Sequence, residues 1–394
     1  MIAGASIPLT SCAATYYVST NGADANSGDA AHPWGSPGFA SKQLVAGDTL
    51  IIRPGTYIMT NYYEDIVWPL ASGTSNAWIT VRGEDGTRPV LAGVSNISHA
   101  VNVADKSFLR FENLDICSLP GSPYRGGMRT AVNGLGSWGQ SNLVLRNLEI
   151  HHVTEGGISL DGNISNIVVE NVHVHHTGYT AISGDYVGPG EPGWQNVLVT
   201  NCVFEHVGLY KDGVEEQSDW DRPDGIGFEP SIGPVVIAST RAYYGFGDGL
   251  DSKSKNTYIH HCIVGNNYGD GVKIWGGNTK VENTVIYGTG YTVSNITTPW
   301  CLLVVGTHDT NSTIEIRNCS LFDDERRANN HYCMSIQYDE PETPIQFYLR
   351  NNIIAGLARA LLRSNVNLTA ENNLFYVRAD GDNVQLGHEG FADY

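Results

Sequence analysis

The sequence predicts an all-β protein built as a single-domain right-handed parallel β-helix, a solenoid with an N-terminal cap segment. Three observations favour this fold: short strands with alternating apolar residues, their recurrence at intervals of 21 to 38 residues, and an Asn at one constant position in most of them. A length of 394 residues is compatible with one domain because a solenoid grows by adding coils. The alternative, a β-sandwich or propeller, would separate its strands by hairpin turns such as Asn-Gly.

The repeated strands share a pattern in which one residue separates two alternating runs, as in LVLRNLEI. The residues at this position are Asn113, Asn147, Asn171, Asn201, Asn283, Asn318, Asn351 and Asn372, with Ser239 and His261 in two further coils. The shortest spacings, 21 to 24 residues, correspond to one coil, and the longer ones to a coil with an inserted loop. We expect an internal ladder of hydrogen-bonded Asn side chains. Cys202, Cys262 and Cys319 each follow the ladder position and are expected to stack as buried residues.

The N-terminal segment differs from the repeats. Residues 1–14 are predicted to be a signal-peptide remnant or linker, and 15–394 the β-helix, with 15–100 as its cap and first coils. The stretch LVAGDTLIIRPGTY at 44–57 resembles the first segment of many secreted β-helix polysaccharide enzymes. The tetrapeptide LTSC, which ends at Cys12, resembles a bacterial lipobox and implies a lipid anchor; a cloning remnant or truncated start is the alternative. We expect a secreted, periplasmic or cell-surface protein.

Composition excludes several functions. The formal net charge of −18 argues against a nucleic-acid partner, which requires a basic face. This charge would also repel a polyanion, so an acidic substrate requires a bound cation or a local basic cluster. No run of about 18 apolar residues is present, so no membrane span is expected. None of the seven cysteines forms a CxxC pair, which argues against a zinc site. We expect a monomer.

Carboxylates concentrate in three successive Asp-Gly turns, at Asp224, Asp248 and Asp270. Their spacings, 24 and 22 residues, place one turn in each coil, so the three side chains should form a column. Three residues further along, Asp251 and Lys273 should stack in the same way. Carboxylates about 4.8 Å apart repel unless they are protonated, paired with Lys or neutralised by a hard cation, and oxygen-only ligands favour Ca²⁺. The alternative is a column of Asp-Gly turns without function.

A family resemblance supports the functional interpretation. The stretch TRAYYGFGDGLDS at 240–252 resembles the Ca²⁺-site segment of pectate lyases in polysaccharide lyase family 9, in which an Arg-Ala strand end precedes an Asp-Asp-Gly-Trp-Asp turn. The preceding turn, DGIGF, resembles the family's Asp-Gly-Phe turn. The resemblance implies that Asp224, Asp248 and Asp251 hold Ca²⁺ and that Lys273 is the Brønsted base. The chain departs from the family pattern at Gly247, Leu250 and Glu229, where the family has Asp, Trp and often Lys.

This resemblance implies Ca²⁺-assisted β-elimination on a uronate-containing polysaccharide, with pectate or polygalacturonate as the favoured substrate. A base removes the C5 proton, the 4-linked sugar leaves, and the cation stabilises the developing charge. A Lys near pKa 10.4 must lose its proton to act, so we expect an alkaline optimum. The residues predicted to bind substrate are Lys253, Lys255, Arg222, Trp220, Trp275 and Asp270.

Two other functions are compatible with the same residues. A β-helix glycoside hydrolase could use two of the stacked Asp residues as acid and base, since paired carboxylates suit that chemistry. A non-catalytic solenoid could bind a glycan without creating new chain ends. The His-rich strands could suggest a metal, but we interpret these residues as an outward ladder; they are His151, His152, His173, His175 and His176.

Overall fold

The computed structural model describes residues 13–129, 138–290, 301–307, 309–323, 332–336, 345–356, 359–362, 366–377 and 385–388. The predicted lipobox, including Cys12, lies outside the described residues. Two short helices are α1 (Pro37–Ser41) and α2 (Tyr62–Asp65). No described helix is long and apolar enough to cross a membrane.

The remaining elements are short β-strands. The first twelve are β1 (Thr15–Val18), β2 (Thr49–Ile52), β3 (Thr56–Met59), β4 (Ile79–Gly83), β5 (Val90–Gly93), β6 (His99–Asn102), β7 (Leu109–Glu112), β8 (Asp115–Ser118), β9 (Gly126–Arg129), β10 (Trp138–Arg146), β11 (Glu149–Val153) and β12 (Ile158–Ser159). The next twelve are β13 (Asn163–Glu170), β14 (His173–Thr177), β15 (Ile182–Gly184), β16 (Trp194–Thr200), β17 (Val203–Val207), β18 (Ile226–Ser231), β19 (Val235–Ala238), β20 (Arg241–Tyr243), β21 (Leu250–Ser254), β22 (Thr257–His260), β23 (Ile263–Asn267) and β24 (Val272–Ile274). The last twelve are β25 (Thr279–Glu282), β26 (Val285–Thr289), β27 (Cys301–Val305), β28 (Thr313–Arg317), β29 (Ser320–Asp323), β30 (Tyr332–Ile336), β31 (Ile345–Arg350), β32 (Ile353–Gly356), β33 (Arg359–Leu362), β34 (Val366–Glu371), β35 (Leu374–Val377) and β36 (Gln385–His388).

These strands form three long parallel sheets. Sheet A contains β1, β2 and β4, followed by every third strand from β7 to β34; sheet B contains β3 and every third strand from β5 to β35; sheet C contains every third strand from β6 to β36. From β4 onward the chain therefore visits A, B and C in turn, and each strand pairs with its equivalents one coil away. The predicted all-β parallel β-helix is confirmed.

Apolar columns fill the interior of the solenoid. Along sheet A the one-coil register places one buried aliphatic residue on the next through eight coils: Leu145, Val169, Val199, Ile237, Ile259, Val281, Ile316 and Leu349. Alternation along each strand points these residues inward and their neighbours outward. A slip of one residue would expose a whole column, so the hydrophobic pattern fixes the register.

The Asn positions form the turn between sheets A and B. All eight Asn residues and their replacements, Ser239 and His261, have a positive φ of 49° to 58°. Asn tolerates this left-handed conformation better than other residues that have a side chain. Asn147 Nδ2 donates to Asn113 Oδ1 (3.0 Å), and Asn171 Nδ2 donates to Asn147 Oδ1 (2.7 Å). The ladder is external, however: Asn171 and the later Asn residues are exposed, so the expectation of an internal ladder is wrong.

In five successive coils the residue after the ladder position is a buried Cys or Thr. Cys202, Thr240, Cys262, Thr284 and Cys319 follow one another in successive coils and are at most 1% exposed. The backbone N–H of Cys202 donates to Thr240 Oγ1 (3.4 Å), and that of Cys262 donates to Thr284 Oγ1 (3.3 Å). The cysteines therefore alternate with threonines instead of stacking directly on one another, because Oγ1 satisfies a buried N–H that a thiol would leave weakly bound.

A conformational requirement at Asn171 predicts different effects of two substitutions. Asn171→Ala should lower the free energy of unfolding by about 1–2 kcal/mol, because an Ala in the left-handed region is strained and the bond to Asn147 is lost. Asn171→Gly should cost less, because Gly adopts this φ freely. Urea unfolding followed by circular dichroism measures both; an equal loss in the two variants would contradict the conformational explanation.

Candidate active site

The three Asp-Gly turns lie one above another at the start of neighbouring sheet C strands. The backbone N–H of Asp248 donates to Asp224 Oδ1 (2.8 Å), that of Asp270 to Asp248 Oδ1 (2.7 Å), and that of Cys301 to Asp270 Oδ1 (2.7 Å). Each carboxylate thus fixes the turn of the next coil with one oxygen and keeps the other oxygen for further contacts. The predicted column is confirmed.

A second column lies on the outer face of sheet C, where Gly227, Asp251 and Lys273 are in register. Lys273 Nζ lies 2.9 Å from Asp248 Oδ2 and 3.1 Å from Asp251 Oδ2. Gly227 leaves space for the first carboxylate, because a Cβ atom there would lie 2.5 Å from Asp224 Oδ2. The two columns therefore converge into one carboxylate cluster, Asp224, Asp248 and Asp251, with Lys273 beside it.

The carboxylate cluster offers donors suited to a hard cation. One oxygen from each of its three members lies within 4.8 Å of the others. Asp251 Oδ1 is buried and has no hydrogen-bond partner, an arrangement that costs free energy unless another group approaches it. Oxygen-only donors fit Ca²⁺ rather than a softer ion. With Asp270 included, four carboxylates lie near Lys273 and Lys253, so the negative charges outnumber the positive ones and a divalent cation or protons would balance the excess.

The electrostatics of the cluster favour neutralisation. Burial raises the pKa of Asp224 and Asp270 well above the usual value, and the adjacent Asp248 carboxylate raises it further. Burial opposes the charge on Lys273, but Asp248 and Asp251 outweigh it and raise the lysine pKa above its usual range. Lys273 is therefore an ammonium ion in the cation-free cluster, and binding of a cation would release protons from the carboxyl groups.

Two cavities flank the cluster. The lysine cavity, of about 610 Å³, includes Lys253, Lys255, Trp275 and Asp309 in its lining. The aromatic cavity, of about 640 Å³, includes Trp220, Arg222, Phe246 and Tyr268. Phe246 and Tyr268 stack with ring centroids 4.6 Å apart. The structure thus divides five of the predicted substrate-binding residues between two cavities.

Three successive coils cross from one cavity to the other. Each coil has a residue in the aromatic cavity, then carboxylates of the Asp column, then a residue in the lysine cavity: Arg222, Asp224 and Ile232 in the first, Phe246, Asp248 and Lys253 in the second, and Tyr268, Asp270 and Trp275 in the third. The cluster therefore lies at the centre of a surface that follows the strand direction across sheet C.

The predicted substrate-binding side chains have protein partners. Lys253 Nζ contacts Glu229 Oε1 (2.7 Å) and Asp251 Oδ2 (3.4 Å), and Lys255 Nζ contacts Asp309 Oδ1 (2.5 Å). Sequence analysis missed Asp309, which no repeated motif marks because it follows β27 in an irregular turn. These pairs hold the two ammonium groups in place at the rim of the lysine cavity.

The other predicted contacts differ in exposure. Trp220 is 47% exposed and packs against Tyr179 with ring centroids 5.0 Å apart. Arg222 Nε donates to Asp221 Oδ1 (3.1 Å) at the surface. Asp270 is only 6% exposed and accepts from Cys301 N–H, so its burial favours a role in holding the turn, and its contact with substrate stays a prediction.

A second buried acid lies on sheet C before the cluster. Asp161 follows β12 and is 7% exposed. Burial, followed by the nearby charge of Asp185, raises the pKa of Asp161 to about 7. Asp161 precedes Gly162 but lies outside the predicted column of Asp-Gly turns, and its pKa shift depends on the approach of two coils.

Comparison with known families identifies part of the scaffold. Residues 16–188 match the family described as Pel9A-like, right handed beta helix region. This match confirms the resemblance and the right-handed fold. It ends before Asp224, so the carboxylate cluster lies on coils that continue from the Pel9A-like region.

Solved structures with the same fold include three carbohydrate-active proteins. Pectate lyase Pel9A is 17% identical, with a TM-score of 0.53 over 91% of this chain and 78% of that one. A rhamnogalacturonan lyase is 16% identical, with a TM-score of 0.53 over 94% and 88%. The GH136 lacto-N-biosidase from Eubacterium ramulus is 16% identical, with a TM-score of 0.65 over 93% and 68%. At these identities the likeness shows the fold alone. Comparison with curated protein sequences finds no significant match.

The pairing of Lys273 predicts a cation-dependent stability. Lys273→Met removes the ammonium between Asp248 and Asp251 and should lower the free energy of unfolding by roughly 3 kcal/mol in chelator, because buried charges are left unpaired. Excess Ca²⁺ should restore more stability to this variant than it adds to the unaltered protein. Urea unfolding with and without Ca²⁺ measures both effects.

Lys280→Met is the matched control, because Lys280 pairs with Glu282 on sheet A. It should lose less than about 1 kcal/mol, because Glu282 keeps its contacts with Arg317 and Tyr258, and show no added response to Ca²⁺. Equal behaviour of the two variants would contradict neutralisation of the carboxylate cluster by Lys273.

The pKa of Asp161 predicts a pH dependence of stability. Its folded-state pKa of about 7 lies above the usual Asp value, so the folded state binds the extra proton. The stabilisation is complete below about pH 4 and is lost as the pH rises through 7, by up to about 4 kcal/mol. Asp161→Asn should reduce this loss, measured by urea unfolding between these pH values. The exposed Asp85→Asn should not, and an unchanged slope in Asp161→Asn would contradict the raised pKa.

Proposed function

We propose that the protein is a secreted polysaccharide lyase that cleaves a uronate-containing chain by β-elimination. The observation that supports this proposal best is the orphaned Asp251 Oδ1 within three converging carboxylates, next to two ammonium groups and between two cavities. A buried cluster of this composition favours the binding of a cation, and a lyase of an acidic polysaccharide needs positive charge at its reaction centre.

Asp224, Asp248 and Asp251 would hold a Ca²⁺ ion. When bound, Ca²⁺ supplies positive charge that draws the substrate carboxylate to the site and stabilises the negative charge developing on it as the C5 proton leaves. The protein's part is to hold three carboxylates in place, and the backbone bonds to Asp224 Oδ1 and Asp248 Oδ1 do so before substrate arrives. No rearrangement of these two side chains is then needed during the reaction.

Lys273 is the proposed base. Its amine lies on the outer face of sheet C, one coil from Asp251, and can reach a sugar ring placed over the cluster. It must first lose the proton that Asp248 and Asp251 stabilise. Neutralising those carboxylates removes the cause of the raised pKa, and alkaline solution favours the same step, so the rate should increase toward alkaline pH.

The cavities supply the local positive charge and the stacking surfaces. Lys253 and Lys255 are positioned to pair with carboxylates of flanking uronates, in exchange for their contacts with Glu229 and Asp309. Trp220 is exposed enough to stack on a sugar ring. Local ammonium groups offset the repulsion that a net charge of −18 exerts on a polyanion. Pectate is favoured by the resemblance of the Asp turns to those of family 9 lyases.

One observation favours a second candidate, a glycoside hydrolase. A carboxyl group whose pKa is raised can donate a proton at neutral pH while an adjacent carboxylate acts as base or nucleophile. Asp224 and Asp270 have raised pKa values next to Asp248. Both are at most partly accessible, however, which disfavours direct contact with a glycosidic oxygen.

The two functions give different products. We expect polygalacturonate, and then alginate as a second substrate, to show a Ca²⁺-dependent rise in ultraviolet absorbance from the unsaturated product at alkaline pH. Lys273→Arg should reduce the rate by roughly 10²–10⁴-fold, because Arg keeps the ion pairs but also keeps its proton at alkaline pH and so does not act as a base. Lys280→Arg is the control and should leave the rate unchanged.

New reducing ends without absorbance would instead support the hydrolase. Absence of both signals on both uronans would contradict the proposed lyase activity on these substrates. A non-catalytic solenoid that binds glycan would then be the remaining function. Loss of activity in Lys273→Arg together with unfolding would point to a structural role, so circular dichroism accompanies the assay.

A further inference from the structure

A wall of stacked histidines covers the outer face of sheet B, away from the carboxylate cluster. His151 stacks on His175 with ring centroids 4.8 Å apart, and His152 stacks on His176 at 5.1 Å. His176 stacks in turn on His206 at 4.8 Å. The predicted outward ladder is confirmed. Acidic side chains lie among these histidines, and the sequence pattern did not predict that proximity.

Three donor atoms converge within this wall. Glu149 on β11 and His173 and His175 on β14 each offer one ligand atom, and these atoms lie within 4.8 Å of one another. Glu149 Oε1 is 3.5 Å from His175 Nε2 and 3.9 Å from His173 Nδ1. Ligands about 2.0–2.2 Å from a tetrahedral ion lie roughly 3.4 Å apart, so small side-chain shifts would complete the geometry.

Each of these side chains is held by its other polar atom. Glu205 Oε1 lies 2.9 Å from His173 Nε2, and His176 Nδ1 lies 2.8 Å from His175 Nδ1. The guanidinium of Arg88 contacts Glu149 Oε2. Contacts of this kind orient ligands in metal sites, and a carboxylate behind a histidine is the commonest example. The atoms left over, one from each residue, are those that face one another.

The hydrogen bond between His175 and His176 supports the same arrangement. In the tautomer in which His175 Nδ1–H donates to His176, its Nε2 presents a lone pair to Glu149 Oε1. Two acceptors at this distance repel each other unless a cation lies between them.

We propose that Glu149, His173 and His175 form a binding site for a divalent transition-metal ion of borderline softness, such as Zn²⁺. Two imidazole nitrogens and one carboxylate oxygen suit Zn²⁺, whereas Ca²⁺ prefers oxygen ligands alone. The absence of CxxC pairs does not bear on this site, because its donors are nitrogen and oxygen. The ion would link β11 to β14 and so connect two coils of the solenoid. The site is independent of the proposed lyase reaction.

A neighbouring group provides an internal competitor. Asp115, Cys117 and His151 also bring one donor each within 4.8 Å of the others. Both ring nitrogens of His151 already make short contacts, Nε2 with Asp115 Oδ1 (3.1 Å) and Nδ1 with His152 Nδ1 (2.6 Å). Glu149 Oε1 lies further from His175 Nε2 and His173 Nδ1, at 3.5 and 3.9 Å, so the set with His173 and His175 leaves more room for an ion and is favoured.

Calorimetric titration of the full chain with Zn²⁺, in excess Ca²⁺ at about pH 7.5, tests the site. We expect one bound ion, loss of measurable binding in His173→Gln/His175→Gln, and a decrease of roughly 10–100-fold in affinity in Glu205→Gln. His260→Gln/His261→Gln removes two imidazoles that meet edge to face away from the proposed site and should retain the affinity. Absence of binding in the unaltered protein, or equal binding in the two double variants, would overturn the proposal.

Titration with Co²⁺ separates the two donor sets, because a thiolate ligand adds a charge-transfer band that imidazole and carboxylate do not. We expect a spectrum without this band that is unchanged in Cys117→Ser. A thiolate band that Cys117→Ser abolishes would place the ion at the competing set and overturn the assignment. Thermal unfolding of metal-free protein shows whether the variants fold, so loss of binding is not confused with loss of structure.

Discussion

The one-coil register of the parallel strands is the constraint on which the rest of this structure depends. Every third strand pairs with its equivalent one coil away, so a residue at one position lies about 4.8 Å from its counterparts above and below. The left-handed residue at each A-to-B turn keeps this register, because it directs the chain into the next sheet after the same number of residues. Apolar residues that repeat at one position form a continuous core. Polar or charged residues that repeat form a column of like side chains.

Stacking places copies of a repeated side chain next to one another, so that like charges come close together. Three acids at one turn position would repel across each coil spacing, yet each carboxylate accepts a backbone N–H from the next turn. The remaining charge is partly offset by Lys273, which takes its place in the column three residues further on. The same register that generates the repulsion therefore places the group that relieves it.

The fold and the centre of the site could be predicted because both depend on spacing along the chain. Intervals of 24 and 22 residues suffice to stack Asp224, Asp248 and Asp270 once the coil is known. The sequence could not show that the Asn ladder faces outward. The interval between successive Asn residues along the chain is the same whether their side chains point inward or outward. Nor could it reveal Asp309 or the shifted pKa of Asp161, since both depend on irregular turns and on contacts between coils.

A solenoid with three walls can keep different chemistries apart on one short length of chain. On sheet C the repeated residues are acids, so the donors are oxygens, and a hard cation is the natural counter-charge. On sheet B the repeated residues are histidines with an acid one coil away, so nitrogen and oxygen donors meet, and borderline ions are preferred. The two walls pack on the same core, but each cluster is built from residues of its own wall. Selectivity between the two classes of ion then follows from which residue type the repeat places on each face.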